Sequence, residues 1–327
     1  MVQVAVVHKW GISPKYSTID LPEPTENQVR IQVLAAGLHN LVRSRAAGKH
    51  FSVVNTSPPH IPGTDGVGAL VPSGHLVYFN CLDAPTGSFA DEINIDKQDV
   101  FKLPKGADPN MIAVLGNPVM SSWMALSARA GLFPNQELEF SVAIVGATGV
   151  SGQAAIQIAK AMGAKKVFAI GKPGSKLERT KELGATASIP LSHVLEDTDF
   201  TEAANVDIVL DYLWGDVMQA ALSGIFAKRK EKTQRLTWVQ IGALAGNNIS
   251  VSAVLLRMAN IVMLGCGPGS WTHSELYAQI PAMLQTIVEN KMTTDFAVRN
   301  LADVGSWWTE TDGPRVLVKP SLCSRAT

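Results

Sequence analysis

Residues 142–152 read Val-Ala-Ile-Val-Gly-Ala-Thr-Gly-Val-Ser-Gly: four apolar residues that run into a turn with Gly146, Gly149 and Gly152. Residues 153–162 follow, rich in Ala and Ile and free of Pro and Gly, and Gly163 closes them. The pattern predicts strand, glycine turn and helix. Such a turn lets backbone N–H groups come close to phosphate oxygens, and the helix start adds unpaired donors and the positive end of a dipole. Gly146, Ala147, Thr148, Gly149, Val150 and Gly152 are therefore candidates for holding a pyrophosphate. The spacing is G-x-x-G-x-x-G rather than G-x-G-x-x-G, and a glycine triplet alone is a weak signal.

The residues around the turn add weight. After it, strands are predicted at 166–170, 187–189, 208–211, 238–241 and 261–264, with helices at 175–183 and 217–223 between them. Strands alternating with helices imply a parallel sheet covered on both faces, with right-handed crossovers. Before residue 105 the character differs. Short strands at 2–7, 28–36, 69–71, 76–79, 89–95 and 100–103 are separated by Gly and Pro, as in a small barrel-like domain. Helical periodicity appears at 111–115 and 121–130, and a long amphipathic helix is expected at 274–290. A last strand is expected at 315–319, followed by a polar tail. The dense charge run 228–235 reads as a solvated loop.

Composition excludes several classes. Lys plus Arg equals Asp plus Glu at 28 each, so no electrostatic attraction to nucleic acid or an anionic membrane is expected. Cys81, Cys266 and Cys323 are too far apart for a disulfide framework or a zinc cluster. The N-terminus lacks the parts of a signal peptide, and no uninterrupted apolar run reaches the length of a membrane span. The expectation is a cytoplasmic protein that acts on a small molecule.

The second strand of a dinucleotide unit normally ends near the adenosine ribose, where an acid favours NAD. Here the strand runs into Gly171, with Lys172, Ser175, Lys176 and Arg179 just beyond. Cations and a hydroxyl at this place suit the 2′-phosphate of NADPH.

Several landmarks then fall in order. They are Ala-Gly-Leu-His-Asn at 36–40, Pro-Gly-Thr-Asp-Gly-Val-Gly at 62–68, Gly-Ser-Phe-Ala at 87–90 and Ser-Ser-Trp-Met-Ala-Leu at 121–126. The glycine turn and Lys-Glu-Leu-Gly-Ala at 181–185 complete the set. In this order the chain resembles a zinc-independent medium-chain dehydrogenase/reductase of the quinone oxidoreductase type, over nearly all its length. The resemblance implies an α/β protein: a Rossmann doubly wound parallel sheet at 118–269, and a GroES-like β-rich catalytic domain from 1–117 and 270–327. The active site is then expected in the cleft between them. A homodimer is common among such relatives.

Zinc-dependent relatives use Cys, His and Cys as ligands. Those positions fall on His39, Thr64 and the neighbourhood of Asn117, and one possible ligand cannot hold a catalytic zinc. The expected chemistry is hydride transfer from NADPH to a quinone or an α,β-unsaturated carbonyl. Such acceptors need alignment and a donor for the developing oxyanion, rather than a metal. By the resemblance, Asn40 and Ser121 lie beside the cofactor, and Gly242, Ala243 and Gly265 let backbone pass the nicotinamide. His39 stands where the family usually carries Asn. It reads equally as a proton donor and as a structural histidine. Quinone reductase, pathway-specific enoyl reductase and non-catalytic NADPH-binding protein all stay open.

Overall fold

The computed structural model describes residues 1–132, 139–311 and 313–320. The tail at 321–327, with Cys323, lies outside the described residues. The chain folds into two compact units, Pro118–Gln279 and Met1–Asn117 together with the chain from Ile280 onward.

The unit Pro118–Gln279 is built on one six-stranded parallel sheet. Its strands lie in the order Ala187–Pro190, Ala164–Gly171, Phe140–Val145, Ile208–Asp211, Leu236–Gln240 and Ile261–Gly265. Counted along the chain this is 3-2-1-4-5-6, the doubly wound dinucleotide-binding order. The order reverses between Phe140–Val145 and Ile208–Asp211, so a crevice opens beyond Val145 and Asp211. The first strand is apolar almost throughout because helices cover both faces. Val142, Ala143, Ile144 and Val145 are all fully buried. The helix Val150–Ala161 packs on it through Ala154, Ala155, Ile158 and Ala159, small or aliphatic residues that allow close approach. Phe168, Phe200 and Trp238 fill the layer on one side.

In the other unit the long strand Gln28–Leu38 is the centre. It pairs antiparallel with Asp65–Leu70 on one edge, and on the other with Glu92–Asp96 and then Arg315–Lys319. Asp65–Leu70 continues to Leu76–Asn80 and Val100–Lys102. Ile31, Val33, Val77, Phe79, Ile93 and Ile95 form one core. Ala36, Leu38, Phe89, Trp307, Val316 and Val318 belong to a second.

Two sequence expectations change. The helices expected at 111–115 and 121–130 are one, Pro109–Met124, continued by a π turn at Ala125–Arg129. A proline inside a helix removes a backbone bond. Burial of Ile112, Val114, Leu115, Val119 and Trp123 outweighs that loss at Pro118. Among the described residues, the joined segment Pro109–Arg129 is long and apolar enough to cross a membrane by length and composition, and 72% of its most apolar window is buried in the protein. Finally, the charge run after Lys228 is not wholly solvated. Arg229 is buried and donates to the carbonyls of Ala204, Val206 and Gln234, which clips the loop to the sheet.

Candidate active site

The glycine turn is tied to the second strand. The N–H groups of Gly146 and Ala147 both donate to the Ile170 carbonyl, at 2.9 and 3.0 Å. Gly146 has φ +92°, which a side chain rarely adopts. Gly152 is required by contact: a Cβ there would lie 2.3 Å from the Gly146 oxygen. A Cβ on Gly171 would lie 2.7 Å from Thr148 Cγ2, so Thr148 packs against the strand end. Gly149 caps the helix, and the first intrahelical bond runs from Gln153 N–H to the Gly149 carbonyl at 2.9 Å. The N–H groups of Val150, Ser151 and Gly152 precede that bond and have no intrahelical partner. Bare backbone, free donors and a sheet switch point together fit a dinucleotide pyrophosphate.

Lys172, Ser175 and Lys176 are exposed beyond Gly171, and Arg179 is half-buried. The helix expected at 175–183 is short, Ser175–Glu178, and tightens to a 3₁₀ turn at Arg179–Lys181. The two cations keep their three-residue spacing across that junction.

At the other strand ends, Ser121 donates to the Pro118 carbonyl at 2.7 Å, and Tyr212 Oη lies 3.5 Å from Ser121 Oγ. With the Ser121 proton engaged, the Tyr212 hydroxyl is the donor of that weak contact. Burial pushes the Tyr212 phenol up, so it stays protonated. Tyr212 also walls the turn: a Cβ on Gly146 would meet its Cβ at 3.2 Å, and one on Gly242 would meet its carbonyl oxygen at 2.5 Å. Sequence reasoning missed Tyr212, although its place one residue beyond the strand Ile208–Asp211 was a usable signal. Ala243 and Gly265 line one cavity of about 310 Å³ with Trp214, Trp238, Gln240 and Met263. Cys266 is buried, its thiol pushed up to about 12, and it is inert as a nucleophile at neutral pH.

The second cluster belongs to the β-rich unit. His39 follows the long strand and precedes the helix Asn40–Ala46. Asn40 is exposed, whereas His39 is buried. His39 Nε2 lies 3.2 Å from both Asp65 Oδ1 and Thr64 Oγ1. Thr64 Oγ1 donates to Asp65 Oδ1 at 3.2 Å, and Tyr78 Oη donates to Asp65 Oδ2 at 3.0 Å. Antiparallel pairing sets Val67 opposite Tyr78, so Asp65 and Tyr78 sit diagonally on one face. Burial lowers the His39 pKa more than Asp65 restores it. A neutral ring beside a carboxylate carries its proton on Nε2, which leaves Nδ1 an acceptor. Nδ1 is buried without a partner among the described residues. Asp65, Tyr78 and Arg315 were not anticipated as a site, because register across three strands brings them together. His60 is half-buried with its ring 5.5 Å from that of Trp10.

A doubly wound sheet with a phosphate-fitting turn at its switch point is the architecture of a dinucleotide-binding unit. Residues 151–288 match the family model described as zinc-binding dehydrogenase. A probable NADPH-dependent quinone reductase, tdiC, of Emericella nidulans is 28% identical, over 98% of this chain and all of the relative. An NADPH-dependent alkenal/one oxidoreductase of Arabidopsis thaliana is 31% identical over 53% of this chain, which spans 47% of that relative. Among solved structures, a quinone oxidoreductase from Thermus thermophilus, described together with its NADPH complex, superposes with a TM-score of 0.76 at 22% identity. It covers 97% of this chain and 99% of its own. Over nearly its whole length the chain is similar to a quinone reductase, and its fold is that of the quinone oxidoreductase-like medium-chain dehydrogenases/reductases.

Proposed function

We propose that this chain transfers hydride from NADPH to a quinone or an α,β-unsaturated carbonyl, without zinc. The observation that carries this is the end of the second strand. No acid stands at Gly171, and Lys172, Ser175, Lys176 and Arg179 supply a hydroxyl and cations for a 2′-phosphate. The full-length likeness to an NADPH-dependent quinone reductase supports the same cofactor and acceptor. The zinc-binding description belongs to a family model matched at 151–288, which includes none of His39, Thr64 and Asn117. Those three side chains offer one possible zinc ligand where a catalytic site takes three.

Bound NADPH would supply the hydride. The Val150, Ser151 and Gly152 N–H groups hold the pyrophosphate, and Gly242, Ala243 and Gly265 leave backbone room for the nicotinamide. Hydride addition to a conjugated acceptor moves negative charge onto oxygen, and a fixed donor there lowers the barrier. The exposed amide of Asn40 is that donor in our account. His39 is a positioning residue: its proton is directed at Asp65, and it immediately precedes the helix that begins with Asn40. Ser121 and Tyr212 shape the floor beside the turn. We take the enzyme to act in the cytoplasm, as expected from the sequence, and the homodimer expected from the resemblance is tested by its mass in solution.

The test is NADPH oxidation against a panel of quinones, enals and enones. Acceptor-dependent oxidation is expected with at least one class. Tight NADPH binding with no oxidation by any acceptor overturns the proposal in favour of a non-catalytic role.

A further inference from the structure

Arg315 opens the strand Arg315–Lys319 and keeps 8% of its surface exposed. Its Nε and Nη2 atoms are buried and have no hydrogen-bond partner among the described residues. Burial lowers its pKa only to about 10, so it remains a cation at neutral pH. The pairing sets Val316 opposite Leu38 and Leu317 opposite Gly37, and the next step of that register brings Arg315 to His39. Bare backbone lies alongside: a Cβ on Gly37 would stand 3.5 Å from both Nε and Nη2.

Asp65 offsets the Arg315 charge through space, but its oxygens accept from Tyr78 and Thr64 and lie against His39. The guanidinium charge is thus balanced while its donors are not. Buried donors without an acceptor are costly, and those on a charged group most of all. The Nε and Nη2 atoms form one edge of a planar fork, which matches two neighbouring oxygens that share a negative charge. The residue keeps 8% of its surface exposed, and the side chain's several rotatable bonds let this edge turn to meet a ligand.

We propose that Arg315 binds an anionic pair of oxygens on the acceptor, so that this site prefers acidic conjugated carbonyl compounds. This rests on the function proposed above for the identity of the acceptor. The pair is either a carboxylate or the ionised hydroxyl and adjacent carbonyl of a hydroxyquinone. Either anion would share the Arg315 charge with Asp65, whose oxygens stay engaged by Thr64, Tyr78 and His39.

The test is equilibrium binding to the full chain, with and without NADP⁺, of two matched pairs. One pair is 1,4-naphthoquinone-2-carboxylate and its carboxamide. The other is 2-hydroxy- and 2-methoxy-1,4-naphthoquinone above the hydroxyl's pKa. The ionised member of at least one pair is expected to bind about tenfold more tightly, and the pair that shows it identifies the source of the oxygens. Arg315→Gln is expected to bring that ratio toward one, and Arg315→Lys to keep part of it. A ratio near one in the unaltered protein overturns the proposal, whether or not the variants fold. So does a ratio that survives in folded Arg315→Gln, or a loss in that variant that falls on NADP⁺ alone. Binding needs no turnover. Failure to oxidise NADPH with any acceptor would therefore defeat the proposed reaction and leave this ratio to judge Arg315.

Discussion

His39 Nε2 and Asp65 Oδ1 lie 3.2 Å apart in a buried cluster, and the contact fixes which ring nitrogen holds the proton. The same carboxylate accepts from Thr64 and Tyr78. Asp65 is thus the acceptor on which three donors depend. Asp65→Asn is expected to destabilise the protein by about 3 kcal/mol, because it removes the charge that balances Arg315 and gives one oxygen a donor in place of an acceptor. Tyr78→Phe removes one hydrogen bond and is expected to cost about 1 kcal/mol. Denaturant midpoints of the two variants check the order. Equal effects would show that Asp65 is not the hub.

The glycines of the turn serve different ends. Gly152→Ala places a Cβ 2.3 Å from the Gly146 oxygen, whereas at Gly149 the nearest contact is an ordinary 3.6 Å. Gly152→Ala is expected to lower stability and abolish NADPH binding. Gly149→Ala is expected to fold normally and to weaken NADPH by about tenfold through crowding of the phosphates. Thermal melts beside NADPH titrations separate the two. Normal NADPH affinity in Gly149→Ala would remove the pyrophosphate from this turn.

Lys176 is exposed beyond Gly171. If it faces the 2′-phosphate, Lys176→Ala raises the NADPH Kd by about fivefold to tenfold, the worth of one charge-assisted contact, and leaves NADH unchanged. The NADPH-to-NADH affinity ratio is the readout. An unaltered ratio assigns the 2′-phosphate elsewhere.

His60 is half-buried, its Nε2 has no partner among the described residues, and its pKa is lowered from 6.5 to about 4 by burial and then by Arg45. The folded state therefore binds this proton less readily than the unfolded state. Stability is unaffected above about pH 6.5 and falls as pH drops from there toward 4, by up to roughly 3 kcal/mol. Urea midpoints measured from pH 7 to pH 4 are expected to fall less steeply in His60→Phe. Parallel profiles for variant and parent would assign the acid sensitivity to other groups.

The parts of the site that depend on local spacing were legible in the sequence. Gly146, Gly149 and Gly152 announce a turn because strand, turn and helix are contiguous, and Gly171 with its cations follows at a fixed place in the βαβ unit. The pairing that joins Leu38 to Val316 spans most of the chain, and nothing local in Arg-Val-Leu-Val-Lys marks its first residue as a neighbour of His39. The strands Lys15–Ile19 and Phe296–Asn300 were missed for a related reason. Both are short and half-exposed, and their pairing partners rather than their own periodicity decide them. Pro118 misled in the opposite direction, since a local helix breaker was overridden by tertiary burial.

The central claim is that hydride reaches the conjugated carbon of the acceptor rather than its carbonyl carbon. It is tested by reducing an enone with NADPH deuterated at C4, using each C4 epimer in turn, and locating the label in the product. Deuterium at the β-carbon of a saturated ketone, from one epimer only, is the expected result. Deuterium on the carbinol carbon of an allylic alcohol would contradict the account, as would a reduced product that carries no label from either epimer.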